Sequence, residues 1–271
     1  MGKIVNISCD GIGFHHSIDT GSYERLSKSH CHETYEILYV ATGSGRYLVE
    51  GAEIILRPRT LMIFRPLENH CVELAGDENY ERYVINFSPD TLFPETRATL
   101  SRIIGDGDEL GRYYSPEALT QTAISVFDRI EYATALPEGD RELYVKLLLC
   151  ELIVLLSGAR GNKIVHDEDE LGARVAKYIN TSLEHDISLD KLAKIFFVSK
   201  YYLCRSFKKY SGMSVHAYIN QKRVMYAKQL IDSGETASGA AYRVGFGDYS
   251  AFYRAYVKIM KRPPTMQVKK K

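Results

Sequence analysis

The sequence predicts a two-domain chain: an N-terminal all-β barrel with an appended helix pair, then an all-α domain of two helix-turn-helix units joined by a linker helix. Three observations predict it. Short β-prone runs alternate with turns from residue 4 to residue 87, the hydrophobic period lengthens to helical spacing after Pro94, and the charge changes sign near residue 166. The 271 residues, 45% apolar and 25% charged, suffice for two separate cores. With 20 Gly and 8 Pro the chain is neither collagen-like nor low-complexity.

The runs 34–41 (TYEILYVA), 47–50, 53–56, 61–64 and 82–87 (RYVINF) read as strands, with turns at 43–45, 50–51, 57–58 and 76–77. Short strands this close together suit a small antiparallel barrel or sandwich. Gly43 and Gly45, between two of the runs, read as a hairpin turn.

Residues 119–132 carry apolar side chains at helical spacing, Leu119, Ala123, Val126, Phe127 and Ile130. A turn at 136–139 leads to a second helix, 140–156, whose later half is apolar nearly all round. One side of such a helix can pack on its own domain while the other meets a partner chain; burial wholly within the monomer explains the pattern equally well. Residues 157–170 (SGARGNKIVHDEDE) have no apolar period and read as a linker. The domains are thus expected at 1–158 and 171–271, joined by 159–170.

A membrane span is not expected, because the most apolar run, 147–156, is too short and carries Glu151. The first residues lack a basic start followed by an apolar stretch, so no signal peptide is expected. Five cysteines (Cys9, Cys31, Cys71, Cys150, Cys204), without any CxxC pair, fit a reducing cytoplasm better than a disulfide or zinc-finger framework.

Residues 1–166 hold 16 Lys and Arg against 24 Asp and Glu, a balance of −8. Residues 167–271 hold 19 against 10, or +9, and removing the acidic stretch 167–170 leaves +13. A basic third joined to an acidic remainder is the footprint of a nucleic-acid module attached to something else.

Within that third, 171–183 reads as a short amphipathic helix. Ser188 is placed to cap 189–196, and Ser199 to cap 200–211 after a turn at 197–198. Gly212 suits the left-handed position that ends a helix. Two short helices across a tight turn make a helix-turn-helix, with Leu192, Ala193, Val198, Leu203 and Phe207 as its core. The opposite side of 200–211 then presents Lys200, Tyr201, Cys204, Arg205, Lys208 and Lys209. Such a surface suits a major groove, with Arg205 for guanine and the lysines for phosphates. The simpler reading, a solvated basic helix, is disfavoured by the turn spacing and the domain charge. A longer helix, 215–231, leads to a second unit: 236–244, a turn at 245–247, and 248–257. Phe252 and Tyr256 mark its buried stripe, with Tyr249, Ser250, Tyr253 and Arg254 facing outward. Two recognition helices so separated fit successive major-groove segments about 34 Å apart.

The segments VSKYYLCRSFKKYSGMSVHAYI (198–219), RVMYAKQLI (223–231) and AAYRVGFGDYSAFYRAY (240–256) resemble the double helix-turn-helix DNA-binding domain of the AraC/XylS family of bacterial transcription regulators. The last, with its GF-x-D-x-S-x-F-x-R arrangement, is the most specific. By this resemblance Tyr201, Cys204, Arg205, Tyr249, Ser250, Tyr253 and Arg254 are the positions that face bases. The second unit departs from the family pattern at Ala237, Gly239, Ala240, Val257 and Lys261. A helical Gly costs roughly 1 kcal/mol relative to Ala, so a looser second unit is expected. Lys269–Lys271 reads as a solubilising end.

In the first part, His30, His32 and Glu36 share parity, so on a single strand over 29–40 they would project from one face. Their H-x-H-x₃-E spacing resembles the first metal motif of cupin barrels, and Pro66 with His70 part of the second. AraC/XylS regulators often carry a cupin-like sensor there, which implies a cupin-like barrel for this domain. Three imidazoles and a carboxylate suit Zn²⁺, Fe²⁺, Mn²⁺ or Ni²⁺, which opens two rival readings: a metal-dependent cupin enzyme or a metal-sensing regulator. Against metal, Glu24 stands where the first motif has Gly, and the second motif's glycine is missing near Glu68 and Asn69. A polar pocket for a metal-free effector, with Arg46 or Tyr39 nearby, is the plainer expectation, so no cofactor is required. His15, His16 and His166 read as surface or loop residues. No nucleophile elbow, P-loop or dinucleotide fingerprint is present.

The resemblance implies a cytoplasmic regulator, more often an activator, that binds promoter DNA through its basic third. Its other partners would be a small-molecule effector, RNA polymerase and a second copy of itself, with no membrane.

Overall fold

The computed structural model describes residues 4–20, 29–75, 79–105, 112–164, 171–185, 187–260 and 262–264. Glu24, the 76–77 turn, His166, the acidic run 167–170, Lys261 and the 269–271 tail lie outside the described residues. Two units divide the chain, Met1–His166 and Asp167–Lys271.

The first unit contains strands β1 (Ile4–Cys9), β2 (Ile12–Asp19), β3 (Tyr35–Thr42), β4 (Ser44–Val49), β5 (Ala52–Leu56), β6 (Thr60–Phe64), β7 (His70–Ala75), β8 (Tyr80–Phe87), β9 (Arg112–Tyr114) and β10 (Asn162–Lys163). Seven form one antiparallel sheet in the order β1-β2-β8-β3-β6-β9-β10, and β5-β4-β7 form a second. Strand alternation divides β3 between two cores. Leu38 and Val40 join Tyr47, Val49, Ile54, Leu56, Met62 and Phe64 between the sheets, which is the barrel interior. Ile37 and Tyr39 face the other way, into a core shared with the helices.

Gly43 and Gly45 do not make a hairpin. β3 and β4 belong to different sheets, and Gly43, at φ +105°, carries the chain from one to the other. At Gly45 a Cβ would lie 2.2 Å from the Glu73 carbonyl, so the two backbones meet where only glycine fits. The actual hairpin is β4–β5, turned by Glu50 and Gly51 at φ 43° and 83°, the positive angles that a two-residue turn requires.

Helix α1 (Pro94–Ile104), for which the sequence reading had no counterpart, starts on its proline. Helix α2 (Gln121–Tyr132) is capped by Thr120, whose hydroxyl accepts from Ala123 N–H. Leu119, Ala123, Val126, Phe127 and Ile130 are all buried, as their spacing predicts. Helix α3 (Glu138–Gly158) packs Leu148, Leu149, Leu152, Ile153 and Leu156 into its own domain. It also leaves Leu143, Leu147 and Val154 exposed by 55, 46 and 55%.

The expected linker is partly domain. Asn162 and Lys163 pair with β9, and Ile164 is buried in the barrel core. A two-residue strand is too short to show a period. His16 also departs from its surface reading: it is 2% exposed on β2, between Glu131 of α2 on Nδ1 and Glu81 of β8 on Nε2, each at 3.0 Å. Its ring stacks on Tyr83 at 3.9 Å. Neighbouring His15 lies 2.6 Å from Asn6 on β1.

The second unit is helical: α4 (Leu171–Thr181), α5 (Leu189–Ile195), α6 (Lys200–Ser211), α7 (Val215–Asp232), α8 (Ala237–Arg243) and α9 (Tyr249–Met260). Its core is double. Val215, Tyr218 and Ile219 of α7 join the cluster of α4, α5 and α6, whereas Val224, Ala227 and Ile231 join that of α8 and α9. None of the five cysteines is in a disulfide. Among the described residues no helix is long and apolar enough to cross a membrane.

Candidate functional site

In the first helix-turn-helix the Ser188 hydroxyl accepts from Lys191 N–H and starts α5. The chain turns at Phe197, and the Ser199 hydroxyl accepts from Tyr202 N–H to start α6. Gly212, at φ +72°, ends α6 in the left-handed conformation, its N–H donating to the Lys208 carbonyl. Each signal is local, which is why the sequence shows it. Leu203 and Phe207 are fully buried, leaving Lys200, Tyr201, Arg205, Lys208 and Lys209 exposed and Cys204 half-buried. Lys200 is engaged within the unit, 2.5 Å from Asp190 of α5.

The second unit repeats the plan. Thr236 accepts from Gly239 N–H to start α8, Gly245 turns at φ +86°, and Asp248 accepts from Ala251 N–H at 2.7 Å to start α9. Asp248 is therefore the cap of this helix and not its first residue. Phe252 and Tyr256 are buried, and Tyr249, Ser250, Tyr253 and Arg254 are exposed. Gly239 sits in the first turn of α8, where a Cβ would come within 3.0 Å of the capping Thr236 hydroxyl and 3.1 Å of Glu235 Oε1.

Two features of this surface carry no sequence signal. Phe197 holds φ +54° and leaves 94% of itself exposed. Arg223, in the middle of α7, donates to the carbonyls of Leu183 (3.1 Å) and His185 (2.7 Å) and lies over the Phe246 ring at 5.9 Å.

In the N-terminal unit His30, His32, Glu36 and His70 do converge, but not from one strand. β3 begins only at Tyr35. His30 instead exchanges two backbone hydrogen bonds with His70 (3.1 and 2.9 Å), and the His32 carbonyl accepts from Leu67 N–H. The 30–32 segment thus runs beside the 67–70 turn, a long-range pairing that parity cannot show. Glu50 holds that turn, its buried carboxylate accepting from Asn69 N–H (3.0 Å) and from the Asn69 side-chain amide (3.2 Å).

One ligand atom from each of His30, His32 and His70 lies within 4.8 Å of the others. Glu36, on the floor of the cluster, is 2.8 Å from His32 Nε2 and 3.7 Å from His70 Nε2. Burial pushes the Glu36 carboxyl up, but the His32 hydrogen bond and the surrounding imidazoles outweigh it and leave the group below the usual range. Burial holds His70 down at about 4, against the pull of Glu36. His70 Nδ1–H donates to the Glu68 carbonyl (3.0 Å), and its ring stacks on Phe64 at 4.2 Å. Burial falls from His70 through His32 to the exposed His30, so the cluster opens to solvent on the His30 side.

The two neighbours expected there lie elsewhere. Arg46 is on the outer face of β4, paired with Glu53 and Glu73 at 3.1 and 2.6 Å. Tyr39 faces the helices and stacks on Phe127 at 4.9 Å. Both have odd or even parity opposite to what an inward position on their strands requires.

Residues 18–148 match the family model of the AraC-like ligand binding domain, and residues 192–269 match that of a helix-turn-helix domain. The chain is 25% identical to the "uncharacterized HTH-type transcriptional regulator YbfI" of Bacillus subtilis (strain 168), over 82% of this chain and 80% of that one. It is 23% identical to the "HTH-type transcriptional activator RhaS" of Enterobacter sp. (strain 638), over 82% and 81%. A crystal structure of ToxT from Vibrio cholerae O395 aligns at 13% identity and a TM-score of 0.40, covering 94% of this chain and 96% of that one. YbfI and RhaS are both named as transcriptional regulators, so the metal-dependent enzyme reading is set aside. A ligand-binding domain followed by a helix-turn-helix DNA-binding domain makes this chain a member of the AraC/XylS family of transcription regulators.

Proposed function

We propose that this regulator reads promoter DNA by placing α6 and α9 in successive major-groove segments. Tyr201, Cys204, Arg205, Tyr249, Ser250, Tyr253 and Arg254 face bases, and Lys208 and Lys209 face phosphates. Lys200 joins the phosphate contacts while tied to Asp190. The observation that carries this reading is the matched construction of the two capped helices. Each turns two aromatic or aliphatic residues one helical turn apart into its core, Leu203 with Phe207 and Phe252 with Tyr256, and leaves these polar residues outside. The basic balance of the unit supports it.

The N-terminal barrel takes a small effector at the His30, His32, Glu36 and His70 end, which is polar, partly open and anchored to β3 and β7. Two copies meet across the exposed Leu143, Leu147 and Val154 face of α3. The chain works in the cytoplasm, recruits RNA polymerase and acts as an activator, a role supported by relatives named as activators. The effector switches the regulator only by binding two of its arrangements with unequal affinity.

Fluorescence anisotropy with the upstream region of its own gene and with a random duplex, each over a salt series, tests the DNA reading. Preferential binding to the upstream region, with log K falling linearly against log salt, supports it. Failure to bind either duplex at low salt overturns it.

A further inference from the structure

We propose that Phe197 and Lys194 anchor a protein-docking surface whose occupant is an acidic segment of RNA polymerase with a pocket for an aromatic ring. This rests on the recruitment reading above and adds the surface that performs it. The two helix-turn-helix turns share one frame. Phe197 N–H donates to the Lys194 carbonyl (3.3 Å) and Val198 N–H to that of Ala193 (3.0 Å). In the second unit Gly245 N–H donates to Tyr242 and Phe246 N–H to Ala241, both at 3.0 Å. At the matching position both turns are left-handed, with φ +54° at Phe197 and +86° at Gly245. Glycine adopts that conformation freely, whereas a bulky side chain is strained in it. The glycine is also enclosed, with Arg223 and the Leu183 carbonyl against it. Phe197 is 94% exposed, more than any other large apolar side chain among the described residues. The first turn thus holds a phenyl ring in a strained position and buries almost none of it. Core packing is served by its neighbour: Phe196 lies against Tyr178 and under Arg174. Strain kept without an internal contact points to an external one.

Phe197 borders a shallow groove along α5, lined also by Asp190, Ala193, Lys194, Val198 and Lys200. Asp190 and Lys200 neutralise each other at 2.5 Å, which leaves the exposed Lys194 to set the sign of the groove. The groove lies off the base-reading face. Lys200 precedes Arg205 by five residues, which at roughly 100° per residue places the two about 140° apart around α6. A phenyl ring gains little against a hydrated phosphate backbone but much inside a protein pocket. An aromatic anchor at the centre with charge at the rim is the arrangement of a protein-binding hot spot. A cationic rim selects an acidic partner surface. The protein that the recruitment reading brings beside α6 on the same promoter is RNA polymerase.

The test uses the full-length protein, the duplex upstream of its own gene and purified RNA polymerase holoenzyme. A photo-crosslinking benzoylphenylalanine at position 197 should join one polymerase subunit, at a segment rich in Asp and Glu. Phe197→Gly should keep or raise the melting temperature, because glycine takes the left-handed conformation without strain. It should hold the DNA dissociation constant within twofold and cut polymerase recruitment to the regulator–DNA complex at least fivefold. Phe197→Tyr should keep most of the recruitment. Lys194→Ala should weaken recruitment at low salt and matter less at high salt. Recruitment by Phe197→Gly equal to that of the unaltered protein overturns the proposal and leaves the recruitment reading standing. No recruitment by the unaltered protein overturns both. A crosslink to DNA or to a second copy, or a DNA affinity that falls in step with recruitment, also overturns the proposal, because the groove then has another occupant.

Discussion

Arg223 Nη2 donates to the His185 carbonyl at 2.7 Å, and through this bond the centre of α7 is tied to the loop that follows α4. The same guanidinium donates to Leu183 and covers Phe246, which lies in the turn between α8 and α9 of the second helix-turn-helix. Gly245 makes room for it, since a Cβ there would lie 2.6 Å from Arg223 Nη2 and 2.7 Å from the Leu183 carbonyl. One side chain thus fastens both DNA-reading units to the helix between them.

Removing it should separate their actions. Arg223→Ala should destabilise the C-terminal unit by about 2 kcal/mol, the scale of hydrogen bonds from a charged donor. It should also weaken binding to a complete operator more than to a duplex carrying only the first half-site. Arg223→Lys should rescue little, because a single ammonium cannot reproduce the planar fork. Equal losses on both duplexes would show that Arg223 does not couple the units.

His16 links the barrel to α2 through Glu81 and Glu131. His16→Leu keeps the volume but leaves two carboxylates facing an apolar side chain. A loss of about 2–3 kcal/mol of N-terminal stability is expected in urea titrations followed by circular dichroism, with His16→Gln recovering part of it. No change would mean that the two carboxylates are fully served by their other neighbours.

On α3, Leu147→Glu with Val154→Glu should give monomers by light scattering with the thermal midpoint nearly unchanged, because these positions are exposed in the single chain. Leu152→Asn should instead lower the midpoint, since it buries a polar group where Leu152 is fully enclosed. A double variant that remains dimeric places the subunit contact elsewhere.

Arg205→Ala and Arg254→Ala should each lose about 1–3 kcal/mol of discrimination at one base pair, if each makes a bidentate contact to guanine. Competition binding against operator variants reads this out. A uniform loss on specific and random DNA would assign the residue to the phosphate backbone.

Legibility followed the range of the interactions. Ser188, Ser199, Gly212 and Thr236 act on backbone groups within a turn of themselves, so the helix-turn-helix units could be read to within three residues, the largest error being the end of α9. The barrel strands were legible as runs, and the buried face of α2 residue by residue. What escaped depends on distant pairing. Gly43 looks like a hairpin turn until β4 is found beside β7 instead of β3. His30 and His32 have the parity of a strand they do not belong to, and reach the site because residues 67–70 run past them. Asn162 and Lys163 form a strand only because β9 is there to receive them. Arg46 and Tyr39 were misplaced for the same reason: each strand's facing depends on the sheet that claims it.

Helix α7 belongs to two cores at once, and this makes its residue count a gauge. Each residue added between Ile219 and Val224 would lengthen the separation of the flanking units by about 1.5 Å and rotate one against the other by about 100°. No whole number of inserted residues restores both spacing and phase. Insertions and deletions among related chains should therefore collect in the surrounding loops and avoid this stretch. The spacing of the two half-sites in the operator is then inherited from the arithmetic of a single helix.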